Sequence, residues 1–160
     1  MYREPLNAQP RIAIVGGGHV GFALSRMMHQ LGFLVHQFDD RAELNTMTSN
    51  TFAHQRSIIN YHEIDKHLPD DPGLFVVLVS HGYRTDEKIL RKLIRKKYKY
   101  IGMLGSEAKV MKLFAGLRAD GFTKEEIARV HAPIGLPIHS RTPEEIAVSI
   151  AAEIIRMKNS

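Results

Sequence analysis

The chain has 160 residues, a length that suits one domain with a sizeable core. Hydrophobic residues make up 44% and charged residues 24%, the balance of an ordinary globular protein, and the absence of cysteine excludes disulfides, thiolate catalysis and cysteine-held metals. The net charge is +5, and much of the excess lies in Lys88–Lys99.

Residues 1–10 are polar and proline-containing and read as an arm or linker, leaving 11–160 as the domain. They have neither the apolar run of a signal peptide nor that of a membrane anchor. No stretch of the sequence is apolar for long enough to cross a bilayer, so no membrane partner and a cytoplasmic location are expected.

The apolar run Ile12–Val15 breaks abruptly into glycines. Gly16, Gly18 and Gly21 fall at G-x-G-x-x-G spacing, with Gly17, His19 and Val20 between them. Val20, Leu24, Met27, Met28 and Leu31 then share one face of a helix, which Gly32 closes. A second strand is predicted over Phe33–Phe38, and it ends in Asp39-Asp40-Arg41.

Each part has a job in holding a dinucleotide. Gly16 permits the tight strand-to-helix turn, a bare Gly18 lets a pyrophosphate approach the backbone, and Gly21 lets helix and strand pack closely. The helix N-terminus offers N–H groups and partial positive charge to phosphates. Asp39 follows Gly21 at nearly the ~20-residue spacing of a ribose-binding acid. An acid there favours NAD; Arg41 can offset it and admit NADP, and FAD is also compatible.

Ala42–Asn50 is polar and reads as loop. A short third strand is predicted near Ser57–Asn60 and a brief helix over His62–Leu68, stopped by the turn cluster Pro69–Gly73. Leu74–Val79 is continuously apolar, as in a strand buried on both faces. It ends in Ser80-His81-Gly82-Tyr83, after which Thr85 or Asp86 caps a helix with Ile89, Leu90, Leu93 and Ile94 on its apolar face. A strand over Tyr100–Leu104 runs into Gly105-Ser106, with Ser106 as N-cap of a helix that Gly121 closes. Thr123–Glu126 is a capping box, Val130–Ala132 a last short strand, and Pro133–Arg141 a loop. Thr142-Pro143-Glu144-Glu145 opens the final helix with an N-cap, a first-turn proline and a second capping box.

This alternation predicts an α/β fold: a Rossmann-like, doubly wound parallel sheet flanked by helices, in one domain. Ligands of such sheets bind beyond the carboxyl ends of the strands. Four ends therefore converge, at Gly16–Gly21, Asp39–Arg41, Ser80–Tyr83 and Gly105–Ser106, with the Pro133–Gly135 loop beside them. Within them His19 is placed to touch a phosphate or the nicotinamide side. His81, after Ser80, is the one candidate acid/base, because its pKa lies near neutrality. Gly105 and Ser106 repeat the logic of the first turn, and Lys109 lies one turn further on. The nine histidines show no zinc-motif spacing, so no protein-built metal site is expected. Lys88–Lys99 has no aromatic platform beside it and reads as a solvated helix face rather than a nucleic-acid surface.

Tyr100–Lys109 (Tyr-Ile-Gly-Met-Leu-Gly-Ser-Glu-Ala-Lys) and His131–Ile138 (His-Ala-Pro-Ile-Gly-Leu-Pro-Ile) carry a family likeness, as does Thr-Pro-Glu-Glu-Ile-Ala-Val-Ser-Ile after them. With Gly-Gly-Gly-His-Val-Gly and Asp-Asp-Arg, they resemble the C-terminal Rossmann domain of the XdhC/CoxI family, accessory factors of xanthine dehydrogenase and related molybdenum hydroxylases. The resemblance covers the chain from Arg11 onward. It implies a nucleotide-binding module that serves molybdenum-cofactor handling and enzyme maturation, with a molybdenum hydroxylase such as xanthine dehydrogenase as partner. Two positions depart from the family pattern. Ser80-His81-Gly82-Tyr83 stands where Thr-His-x-His is frequent, and His139 stands where a glycine is usual.

An accessory or binding protein is thus expected rather than an enzyme. The alternatives are a free-standing NAD(P)-dependent oxidoreductase and a ligand-sensing regulatory domain. The alanine-rich last helix favours a homodimer.

Overall fold

The computed structural model describes residues 9–160; most of the expected N-terminal arm lies outside that range. Six strands form one sheet in the order β3-β2-β1-β4-β5-β6, with every pairing parallel. They are β1 (Arg11–Val15), β2 (Leu34–Asp39), β3 (Gln55–Ile58), β4 (Asp71–Leu78), β5 (Tyr98–Met103) and β6 (Val130–His131). The order runs outward from β1 in one direction and from β4 in the other. The crevice between their carboxyl ends is therefore the place where a doubly wound sheet takes a ligand.

Side chains alternate across the sheet as the two-residue period requires. Ile12 and Ile14 of β1 face α1 (His19–Gln30) and α7 (Pro143–Lys158), packing with Leu24, Met28, Ile150 and Ile154. Ala13 and Val15 face the opposite layer, which holds α3 (Ile64–His67), α4 (Tyr83–Leu93), α5 (Glu107–Ala119) and α6 (Lys124–Ala128). Both layers exclude water: Ile14, Val76, Val77 and Leu24 are all wholly buried. At about 1.5–3 kcal/mol per buried aliphatic side chain, this double cover explains why the central strands read as unbroken apolar runs.

Several boundaries differ from the sequence-based expectation. The 42–50 loop contains a short helix, α2 (Asn45–Thr48). β3 begins at Gln55 and ends at Ile58 rather than running to Asn60. β4 starts inside the presumed turn cluster, because Asp71 pairs with Tyr98 of β5 and accepts from both terminal nitrogens of the Arg11 guanidinium, Nη1 at 2.5 Å and Nη2 at 2.9 Å. α4 starts at Tyr83 with Gly82 as N-cap, because Asp86 turns inward instead of capping. Both capping boxes form as read, at Thr123/Glu126 and Thr142/Glu145. Gly32 lies just past the end of α1 with φ +85°, the left-handed conformation that suits glycine.

Much of the basic segment stitches helices together. Arg91 bridges Glu87 at 3.2 Å and Asp120 at 2.8 Å, Arg95 meets Glu126 at 3.0 Å and lies over the Phe122 ring, and Lys96 donates to the Asp65 carbonyl.

Candidate functional site

The glycine turn is held from three sides. Gly16 has φ +125°, and a Cβ there would collide with the backbone of Val79 and Ser80 at the end of β4. That close approach is what a glycine alone permits. A Cβ on Gly21 would strike the Gly16 carbonyl, so α1 sits directly on the turn. Beneath it the wholly buried Gln37 donates from Nε2 to the Gly16 carbonyl at 2.9 Å. Gln37 Oε1 accepts in turn from Ser25 Oγ at 3.1 Å and from Asn50 Nδ2. Gln37 and Asn50 escape a motif search because their role is to satisfy a buried carbonyl, and no local pattern marks that.

Gly17 and Gly18 differ. Gly17 is buried: the Met47 side chain occupies the space its Cβ would take, and Thr46 Oγ1 donates to its carbonyl. Gly18 has no atom within 4 Å of its virtual Cβ, and no side chain caps α1 there. The first amides of α1, at His19 and Val20, therefore open beside bare backbone.

Asp39 is also unlike its expected role. Its carboxylate is wholly buried. Oδ2 accepts the Gly17 amide at 2.7 Å and Arg41 Nη2 at 3.0 Å; Oδ1 accepts Arg41 Nε and the Arg41 amide, each at 2.9 Å. Burial pushes this carboxyl up, but the guanidinium and the two amides outweigh it and hold the pKa below the ordinary value. The carboxylate that faces outward at this strand end is Asp40, 38% exposed, with His81 Nε2 at 3.9 Å from its Oδ1.

Two further buried polar groups lie at this end of the sheet, Asp86 on α4 and Tyr61 just after β3. Asp86 is buried and accepts the Ser80 amide at 3.0 Å; burial raises its pKa to about 6, against the opposing pull of Ser80 and His81. Tyr61 presents a buried hydroxyl that has no hydrogen-bond partner among the described residues. Burial, and then the charges of Asp39 and Asp40, push its pKa upward. Asp86 reads in the sequence as a candidate helix cap and instead turns inward to Ser80, whereas Tyr61 carries no signal in the sequence.

The remaining candidates sit at the far end of the crevice. Ser106 Oγ caps α5 by accepting the Lys109 amide at 3.3 Å, so the second glycine turn spends its cap internally. Lys109 Nζ stands 4.8 Å from the Tyr83 ring centroid. Ile134 donates its amide to the Met103 carbonyl at 2.9 Å, hooking the 133–135 loop onto the end of β5. Glu153, also buried, steadies that loop, accepting from Tyr100 Oη at 2.5 Å and the Gly135 amide at 3.3 Å. His139 has φ +58°, the backbone conformation a glycine would favour. Among the described residues no three His, Asp or Glu side chains gather as a metal site, and no helix is long and apolar enough to cross a membrane.

The XdhC Rossmann domain profile matches residues 12–154, nearly the whole of the described chain. The chain belongs to the XdhC family. This XdhC domain is 36% identical over 156 residues to the YqeB protein of Escherichia coli K12, covering 95% of the chain and 28% of that protein. It is 28% identical over 158 residues to a probable xanthine dehydrogenase subunit of Bacillus subtilis 168, covering 99% of the chain and 46% of the relative. A crystal structure described as a xanthine dehydrogenase from Bacillus halodurans superposes with a TM-score of 0.80 at 27% identity, over 94% of this chain and 43% of that one. The XdhC domain thus spans less than half the length of each of these relatives. The fold expected from the sequence, a Rossmann-like α/β domain, is the fold these comparisons share.

Proposed function

We propose that the XdhC domain binds a dinucleotide, NAD(P) or FAD, with its pyrophosphate on the amides of Gly18, His19 and Val20. We propose further that it serves as a binding module in the maturation of a molybdenum hydroxylase. The observation that carries the first part is the contrast within the turn: Gly16, Gly17 and Gly21 are packed, whereas Gly18 is open and α1 has no side-chain cap. Uncapped amides at a helix start, beside a glycine with empty space over it, fit an anion. The second part is supported by likeness to proteins named for xanthine dehydrogenase.

Among the chain's own groups, Gly18, His19 and Val20 hold the diphosphate, Asp40 accepts from ribose hydroxyls, and His81 stands beside Asp40. The bound dinucleotide supplies redox chemistry or a recognition handle; the side chains bind and orient it. A free-standing oxidoreductase is disfavoured because the acid/base candidate His81 stands exposed at the rim. The chain has no thiolate to hold molybdenum, so a molybdenum cofactor would be bound through its anionic organic part.

Titration of the purified chain with NADH, NADPH, FAD and molybdopterin, followed by a hydride-transfer assay, tests this reading. Saturable dinucleotide binding without turnover is expected. Steady turnover of a small carbonyl substrate overturns the binding-module reading, and no binding by any of the four overturns the placement of the site.

A further inference from the structure

We infer that the crevice beside the glycine turn selects a dinucleotide with an additional phosphate on its adenosine ribose. This rests on the dinucleotide reading above and names the member of that class. The acid that the glycine-motif spacing assigns to the ribose, Asp39, is removed from the surface: 0% exposed, with both oxygens engaged by Gly17 and Arg41. The residue that stands at the rim in its place is Arg41, whose side chain is 40% exposed. Asp39 takes its Nε and Nη2, so Nη1 is left over on the outer side of the fork. A ligand that approaches the end of β2 therefore meets a guanidinium pinned in place.

The far wall of the crevice has the same bias. A cavity of about 210 Å³ lies between the ends of β2 and β3 and the outer face of α4, lined by Asp40, Asn60, Tyr61, His81, Lys88 and Lys92. Lys88 and Lys92 line it together with a single carboxylate, Asp40, whose Oδ1 lies 3.9 Å from His81 Nε2. Lys88 and Lys92 are one helical turn apart on α4. Arg91, Arg95 and Lys96 of the same segment are committed to other helices, whereas no carboxylate pairs with Lys88 or Lys92 among the described residues. A phosphomonoester brings close to two negative charges and three acceptor oxygens. Two lysines in the cavity wall and, next in sequence to Asp40, the leftover guanidinium nitrogen of Arg41 are the complement of that group.

The test is fluorescence titration with NADPH and NADH, with 2′-AMP as the isolated phosphate probe, on the wild-type chain and a Lys88→Ala/Lys92→Ala variant. Both lysines are exposed, so the variant folds, which its thermal transition verifies. NADPH is expected to bind about tenfold more tightly than NADH, a preference that weakens with salt and falls to within about twofold in the variant. If NADH binds as tightly as NADPH or more tightly, the inference is overturned and the dinucleotide site stands. If neither dinucleotide binds but 2′-AMP does, and the variant loses it, the phosphate pocket stands and the dinucleotide reading falls. If none of the three binds, both fall.

Discussion

The Gly17 amide donates to Asp39 Oδ2 at 2.7 Å, so the acid at the tip of β2 ties down the turn at the tip of β1. Arg41 closes the same carboxylate from the other side. Asp39→Ala leaves a buried N–H and an arginine without their acceptor, and is expected to cost about 2–3 kcal/mol in urea denaturation at pH 7. Because the folded state holds this carboxyl below its ordinary pKa, its contribution is present above the ordinary carboxylate range and is lost as pH falls beneath it. Asp39→Asn flattens that acid limb. A loss under about 0.5 kcal/mol for the alanine variant would show the tie to be ornamental.

Within the turn, identical residues carry opposite expectations. Gly18→Val meets no atom within 4 Å and a φ of −73° that any residue tolerates, so stability stays within about 0.5 kcal/mol while dinucleotide binding is abolished. Gly21→Ala drives a methyl into the Gly16 carbonyl, and is expected to cost on the order of 2–3 kcal/mol. Thermal denaturation and ligand titration of the two variants separate fold from site. Normal binding by Gly18→Val removes the pyrophosphate from this position.

Asp86 sets a different pH dependence. With its pKa raised to about 6, the folded state takes up a proton that the unfolded chain lacks between about pH 4 and pH 6. This contribution to stability is therefore greatest below pH 4 and declines as pH rises to 6. Above pH 6 the buried charge persists at full cost. Asp86→Asn keeps an acceptor for the Ser80 amide and removes the charge, so it is expected to gain on the order of 2 kcal/mol at pH 7.5 and almost nothing at pH 4. An equal gain at both pH values would exclude titration of Asp86 as the cause.

His139 has a φ of +58°, where a side chain is strained. His139→Gly is expected to raise stability by about 0.5–1 kcal/mol, read from the denaturation midpoint at unchanged slope. A lower midpoint would mean that the imidazole makes a contact worth more than the strain.

What the sequence discloses depends on how far a residue reaches. Gly16, Gly21 and the Thr142-Pro143-Glu144-Glu145 start are legible because their partners lie within a few positions, or because the conformation itself demands glycine. Ile12, Ile14 and Val77 are legible because double burial leaves no polar position in the run. The retreat of Asp39 behind Arg41 is not legible, since spacing assigns an acid to the ribose without saying which way its carboxylate turns. Met47 over Gly17, Gln37 under Gly16 and the buried Tyr61 hydroxyl likewise arise only once distant segments have packed. The start of β4 is obscured for the same reason: Pro72 and Gly73 look like a turn until Arg11 and Tyr98 draw Asp71 into the sheet.

The pairing of Arg11 with Asp71, 60 positions apart, has a consequence for synthesis. β1 lies in the middle of the sheet, yet the neighbour on its second flank is translated long after the first. A nascent chain that has not yet emerged past residue 71 displays Ile12–Val15 as an unshielded apolar edge. Ribosome stalling in that interval is where chaperone capture or intermolecular sticking of this protein would concentrate.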